Sequence, residues 1–175
     1  FISEEHLRLH LGVDQYVTNF DKKNDHVIGI DIAKDYDSTV VTILEVDWEH
    51  PVLIDPDTQM YRHYKKVKNW FEISGDDYDS QFIQICEFID NYKWSTLVCD
   101  ATGVGAHMFD RLSNRNKPRG KNCIPFIFTL PDKSYGYTLL KRELFSMDEK
   151  KRVPPRLTFP DSEGARKLKK HQNFM

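Results

Sequence analysis

The chain has 175 residues, of which 39% are hydrophobic and 30% are charged, and its formal net charge is −2. This length and composition predict one globular domain with its own hydrophobic core and exclude an intrinsically disordered chain. No apolar run is long enough for a membrane span, and the first residues lack the pattern of a secretory signal peptide.

The charges are divided unevenly along the chain, with an acidic excess in residues 1–100 and a basic excess in residues 101–175. This division favours an acidic site beside a surface that binds a polyanion, although charges that interleave in three dimensions would cancel. The three cysteines lie in apolar runs at wide spacings, which predicts buried thiols rather than a disulfide framework or a zinc site.

Strands dominate the first half of the predicted structure. A helix and a linker are predicted for residues 1–25, where the absence of an initiator Met indicates a fragment or a processed chain. Three antiparallel strands are predicted next, at residues 26–33, 39–46 and 60–73. Residues 47–59 contain two prolines and several acids, so they are interpreted as a turn region.

Helices and strands alternate in the second half. Helices are predicted at residues 74–94, 106–115 and 134–151, with strands at 95–100 and 123–129. Pro125 favours an edge position or an irregular ladder for the last of these strands. A short strand within 152–160 and a final helix capped by Asp161 or Ser162 complete the chain. The order predicts an α/β fold, with a mixed sheet of three antiparallel strands followed by parallel βα units and flanking helices.

Two of the predicted buried strands carry a carboxylate near the end, Asp31 between two isoleucines and Asp100 after an apolar run. A lone Asp in such a strand is costly unless it is paired or binds a metal ion. Two carboxylates on adjacent strands suit Mg²⁺ or Mn²⁺, which prefer oxygen ligands. The alternatives are a turn-capping or ion-paired acid for Asp31, and a cap of the following loop for Asp100. That loop, residues 101–105, could also bind phosphate through backbone N–H groups.

The residues around these acids resemble the nuclease domain of the large terminase subunit of tailed bacteriophages, which is RNase H-like. Its first motif is a strand ending in Gly-x-Asp before Asp-Ser-Thr, and its second is a strand ending in Asp before a Gly-x-Gly loop. The matching residues are Gly29, Asp31 and Asp37 to Thr39 in the first motif, and Asp100, Thr102, Gly103, Gly105 and Leu112 in the second. The resemblance covers about residues 26–160.

The resemblance implies a metal-dependent endonuclease that cuts concatemeric double-stranded DNA during viral genome packaging. Its cofactors would be two Mg²⁺ or Mn²⁺ ions, with Asp31 and Asp100 as catalytic ligands and Asp37 as a weaker outer ligand. The implied partners are an upstream ATPase domain of the same subunit, the portal protein and the small terminase subunit, and the implied location is the host cytoplasm.

The family has a third acidic motif near the end of the domain, whereas Asp161 and Glu163 have the context of a helix cap. We therefore expect the domain, residues 26–175, to be truncated at its C-terminus and its metal site to be incomplete. Phosphate contacts are expected from nine basic residues: Lys117, Arg119, Lys121, Lys133, Lys141, Arg142, Lys150, Lys151 and Arg152. Tyr135 and Tyr137 could stack on a base or serve as ordinary packing residues.

Two other hypotheses are compatible with the sequence. One is a different RNase H-like nuclease, such as a junction resolvase or a transposase-like enzyme. The other is a DNA-binding or assembly module whose acidic site is incomplete.

Overall fold

The computed structural model describes residues 25–33, 37–55, 57, 59–75, 77–144 and 156–159. Its strands are β1 (His26–Asp31), β2 (Thr39–Val46), β3 (Val52–Asp55), β4 (Met60–Arg62), β5 (Lys65–Ile73), β6 (Trp94–Asp100), β7 (Asn122–Phe126) and β8 (Leu157–Thr158). Its helices are α1 (Tyr78–Ile89), α2 (Val104–Asn116) and α3 (Leu130–Leu144), and a 3₁₀ turn spans Lys117–Arg119. The predicted N-terminal helix and the predicted final helix lie outside the described residues.

Six strands form one sheet in the order β7-β6-β1-β2-β5-β8. Strands β1, β2 and β5 pair antiparallel, whereas β6 and β7 continue the sheet in parallel from β1. The mixed sheet predicted from the sequence is therefore confirmed. The edge position predicted for the strand with Pro125 is also confirmed, because β7 ends the sheet.

The prediction of a turn region at residues 47–59 is wrong in part, because β3 lies within it and pairs with β4 in a separate hairpin. Asp47 explains why β2 stops there. Its buried carboxylate accepts the backbone N–H of His50 at 3.1 Å, and its carbonyl accepts from the ring of His63 at 2.9 Å. The predicted strand at 60–73 is consequently split into β4 and β5.

The main hydrophobic core lies between one face of the sheet and the helices α1 and α2. Asp77 begins α1 by accepting the backbone N–H groups of Asp79 and Ser80. The most completely buried core residues include Ile28, Val41, Ile43, Leu97 and Cys99 from the sheet, and Ile85, Ile89, Met108 and Leu112 from the helices. Each buried Ile or Leu contributes about 1.5–3 kcal/mol relative to exposure, so this face supplies much of the stability.

A smaller apolar cluster lies on the opposite face of the sheet, where α3 ends. Val67, Leu144 and Leu157 are its buried members, and Leu44 packs against them. Leu44 follows the core residue Ile43 along β2, and successive strand side chains point to opposite faces.

Ion pairs reinforce the same end of α3. The Glu143 carboxylate accepts from Lys65 Nζ at 2.9 Å and from Arg156 Nε at 3.3 Å. The C-terminal end of α3 is thereby anchored to the edge formed by β5 and β8.

The prediction of buried thiols is confirmed, because Cys86, Cys99 and Cys123 are all buried and free. Burial, helped by the negative charges of Asp100 and Asp31, raises the pKa of Cys99 to about 12. Within the described part of the chain, no helix combines the length and apolar character that a membrane crossing needs.

Candidate active site

Asp31 and Asp100 end two neighbouring parallel strands. Ile30 pairs in register with Cys99, and both of these side chains are buried in the main core. Because side chains alternate across a sheet, Asp31 and Asp100 both project from the opposite face, on strands about 4.8 Å apart. Both acids line one cavity of about 340 Å³.

Strand β7, the loop after it and α3 supply the rest of the cavity wall. Phe126 pairs with Asp100 in the parallel ladder, so its side chain lies on the same face of the sheet. The α3 residues recur at the four-residue spacing of one helix face. Besides the two acids, the lining residues are Phe126, Phe128, Asp132, Lys133, Gly136, Tyr137 and Leu140.

The electrostatics of the cavity centre on Asp31, whose pKa is raised above the ordinary carboxyl value. Partial desolvation is the largest cause, and the negative charge of Asp100 is the next. The ammonium of Lys133 acts in the opposite direction, and Asp37 adds a smaller rise. Partial burial, followed by the like charge of Asp100, therefore disfavours ionisation of this acid when no cation is bound beside it.

Local hydrogen bonds hold Asp100 in place. Its Oδ1 accepts the backbone N–H of Thr102 at 2.8 Å, and the Thr102 hydroxyl accepts the backbone N–H of Phe128 at 3.1 Å. The loop after β6 is thus tied to the loop after β7. The loop-capping alternative for Asp100 is realised in the structure, while its side chain also lines the cavity.

Two glycines allow α2 to begin directly against Asp100. Gly103 has a φ of +59°, which side chains rarely tolerate. A Cβ on Gly105 would lie 2.1 Å from the Asp100 carbonyl oxygen, so only glycine fits. Gly105 and Ala106 donate their N–H groups to Thr102 and Gly103 within the turn. These contacts give the glycine-rich loop a packing role. Because the N–H groups of Gly105 and Ala106 already donate within the turn, they are not available to bind a phosphate.

A hydrogen-bond chain joins Ala33, just after β1, to the start of β2 and to α1. The Thr39 hydroxyl accepts the backbone N–H of Ala33 at 3.0 Å and donates to Gln81 Oε1 at 2.8 Å. Thr39 and Gln81 are both buried. Asp37 lies two residues earlier in the same loop and is exposed. The Asp-Ser-Thr motif therefore places a loop carboxylate near Asp31 through an anchored threonine.

The structure adds an acid that the sequence prediction did not include, Asp132. Thr129 Oγ1 donates to its carboxylate at 2.5 Å, while the Asp132 N–H lies 3.3 Å from that hydroxyl. This reciprocal Thr-x-x-Asp capping box begins α3 at Leu130. The predicted start at residue 134 is therefore wrong by one turn, and the capping motif is the signal that would have located both the helix start and the acid.

The basic residues predicted to bind phosphate are not gathered at one place. Lys133 lies at the cavity, and Lys141 and Arg142 are exposed in the last turn of α3. Lys150, Lys151 and Arg152 lie outside the described residues.

Three other basic residues are at the opposite end of the sheet. Lys121 donates to the carbonyl of Trp94, the first residue of β6. Asp100 is the last residue of that strand, so at 3.3 Å per residue the two ends lie roughly 20 Å apart. Lys117 and Arg119 precede it in the same turn, and Arg119 lies 3.6 Å from the Asp90 carboxylate.

Among the residues that the structure describes, no group of three or more His, Cys, Asp or Glu side chains is arranged to hold a metal ion. Asp161 and Glu163 lie outside this part of the chain. The described site therefore consists of two strand-end acids, the α3 acid Asp132, one lysine and an aromatic side, with the exposed loop acid Asp37 nearby.

No family model matches the chain, and a comparison with curated proteins also finds no match. Among solved structures, the chain is similar to the crystal structure of the large terminase nuclease from the thermophilic phage G20c. The two are 15% identical with a TM-score of 0.45, and the match covers 82% of this chain and 62% of that one. That protein is of the kind that the sequence motifs resemble.

Proposed function

We propose that the protein is a metal-dependent DNA endonuclease. The observation that carries the proposal is the pair of carboxylates, Asp31 and Asp100, on one face of adjacent strand ends and in one cavity. Such a pair brings two like charges close together, although Asp100 also accepts the backbone N–H of Thr102. Its cost is offset when it binds a cation.

The donor set fits a hard divalent cation. Burial and the charge of Asp100 raise the pKa of Asp31, and a bound cation would reverse that effect. Asp31 and Asp100 would be its ligands, with Asp37 as an outer ligand. Mg²⁺ or Mn²⁺ bound there supplies charge stabilisation for a leaving phosphodiester oxygen and lowers the pKa of a water molecule. Hydrogen bonds restrain the backbone next to both acids, because Thr102 donates its N–H to Asp100 and Ala33, two residues after Asp31, donates its N–H to Thr39.

Lys133 is the residue best placed to receive a phosphate near the acids, because it lines the cavity and its charge already acts on Asp31. Lys141 and Arg142 extend the basic surface along α3. Since phosphate contacts release counterions, binding through these residues would weaken steeply with salt and carry little sequence preference.

The motif resemblance supports a more specific role, cleavage of concatemeric double-stranded DNA in viral genome packaging. In that role an ATPase domain of the same subunit, a portal protein and a small terminase subunit are the partners, and the host cytoplasm is the location.

Plasmid cleavage tests the proposal. We expect nicking or linearisation with Mn²⁺ or Mg²⁺, and its loss in EDTA and in the Asp31→Asn and Asp100→Asn variants. Asp110→Asn is the matched control, because Asp110 is exposed on α2 and does not line the cavity. Cleavage that survives EDTA, or that persists in both strand-end variants, would refute the metal mechanism.

A second candidate function, a DNA-binding or assembly module, is favoured by the lack of a third metal-holding side chain among the described residues. Calorimetry separates the two functions. A protein that binds duplex DNA but binds no Mn²⁺ at millimolar concentration would be a binding module.

A further inference from the structure

The cavity has an aromatic side as well as an acidic one. Phe126 and Phe128 pack edge to face with ring centroids 4.6 Å apart, and Lys133 Nζ lies 5.6 Å from the Phe128 ring centroid. Tyr137 lines the same cavity from α3 and is 63% exposed. Metal chemistry on a phosphodiester needs none of these rings, so they require a separate explanation.

We propose that this cavity receives one unstacked nucleotide of the DNA substrate. Its base stacks on the Tyr137 ring against the wall formed by the Phe126–Phe128 pair, and its phosphate pairs with Lys133. The proposal rests on the proposed nuclease function and specifies how its substrate is held: one nucleotide leaves the stack of the DNA at the cutting site.

The size of the cavity supports one nucleotide rather than intact duplex. Its volume of about 340 Å³ is at the lower end of the range for small-molecule sites, about 300–1,000 Å³. Gly136 contributes to this space, because a Cβ at that position would contact nothing within 4 Å. A glycine in the middle of a helix, with no close backbone neighbour, thus leaves room beside the aromatic wall.

The chemical character of the cavity supports the same ligand. Base stacking on an exposed aromatic ring is tolerant of sequence and worth a substantial part of single-strand affinity. Lys133 adds a charge for the adjoining phosphate: its ammonium lies 5.6 Å from the Phe128 ring centroid and opposes the rise in the pKa of Asp31. Tyr135, by contrast, is equally exposed at 63% on the same helix but does not line the cavity.

The test measures fluorescence anisotropy of a labelled oligo-dT strand of roughly 20 nucleotides, a length that exceeds one stacking site. The full chain is added stepwise to this strand in a buffer that contains Ca²⁺. We expect Tyr137→Ala to weaken binding about tenfold, within the range measured for single base–aromatic stacks. Tyr135→Ala is expected to stay within about twofold, and Tyr137→Phe to retain the wild-type affinity because the ring is kept. Gly136→Leu, which fills the cavity without changing charge, is expected to weaken binding as Tyr137→Ala does.

A strand carrying one 2-aminopurine gives a signature that a merely structural role of Tyr137 would not change. Its fluorescence should be quenched on binding to wild type and recover in Tyr137→Ala. Equal losses in the two tyrosine variants, an unquenched probe, or wild type that binds only duplex would overturn the inference. Plasmid cleavage by wild type and Asp31→Asn, measured alongside, reports separately on the nuclease proposal.

Discussion

The two faces of the central sheet are built differently. On one face, α1 and α2 cover a continuous core, and Ile28, Leu97 and Leu112 are completely buried. On the other, α3 is held by a capping box at its start and by Glu143 and Leu144 at its end, while its middle borders an open cavity. The alternation of strand side chains assigns adjacent residues to these two environments, which places Cys99 in the core and Asp100 in the cavity. The difference places the continuous core on the first face and the candidate site on the second.

The largest expected contrast comes from one substitution made on both faces. Leu112→Ala on α2 removes a fully buried side chain, and we expect it to cost about 2–5 kcal/mol. Leu140→Ala on α3 removes a side chain that is 39% exposed, and we expect a cost below about 1 kcal/mol. Urea denaturation measures the stability cost of each variant, from the shift in its midpoint at an unchanged m-value. Similar losses in the two variants would show that α3 is packed as tightly as α2.

A pair of glycines gives the next contrast. In Gly105→Ala the new Cβ would collide with the Asp100 carbonyl, so α2 or the strand end must shift, at an expected cost of about 1–3 kcal/mol. Cleavage should also fall, because Asp100 moves with its backbone. Gly136→Ala meets open space in a helix, and we expect a gain of about 0.5–1 kcal/mol. A neutral Gly105→Ala would mean that the start of α2 does not position Asp100.

The parts of this arrangement that local patterns determine could be predicted from the sequence. The short apolar runs gave β1, β2 and β6, and a carboxylate inside such a run marked Asp31 and Asp100. The face of the sheet from which Asp31 and Asp100 project could be assigned only from the register that pairs Ile30 with Cys99. The aromatic wall could not be predicted, because it depends on where α3 crosses the sheet. The start of α3 was missed for a different reason, since the Thr129 capping box is a local signal that was present in the sequence.

The buried Thr39–Gln81 hydrogen bond joins the start of β2 to α1 on the core face, two residues after Asp37. Gln81→Leu removes the acceptor of the Thr39 hydroxyl, and we expect a loss of about 1–2 kcal/mol together with reduced cleavage. Combining it with Thr39→Val completes a double-mutant cycle. Strictly additive losses would show that the two side chains do not act as a unit.

The smallest expected effect is a pH-dependent one on the core face. Arg115 donates to both Asp90 oxygens, at 3.1 and 2.5 Å, and joins the end of α1 to α2. The hydrogen bond from Arg115 is the largest cause that lowers the pKa of Asp90 below 3.8. The folded state therefore binds this proton less readily than the unfolded state. The stabilisation is fully present above the ordinary carboxyl pKa and is lost as the pH falls through the lower folded value.

Because the Asp90 side chain is 45% exposed, solvent and salt screen the pair, and we expect it to contribute at most about 1 kcal/mol. Urea midpoints of wild type and Asp90→Asn, measured at neutral and acidic pH, should differ at neutral pH and converge on acidification. Added salt should narrow the difference at neutral pH. Asp110→Asn on α2 is the control for removing one exposed acid. A gap between wild type and Asp90→Asn that persists at low pH would assign the effect to the packing at the end of α1 instead of to the ion pair.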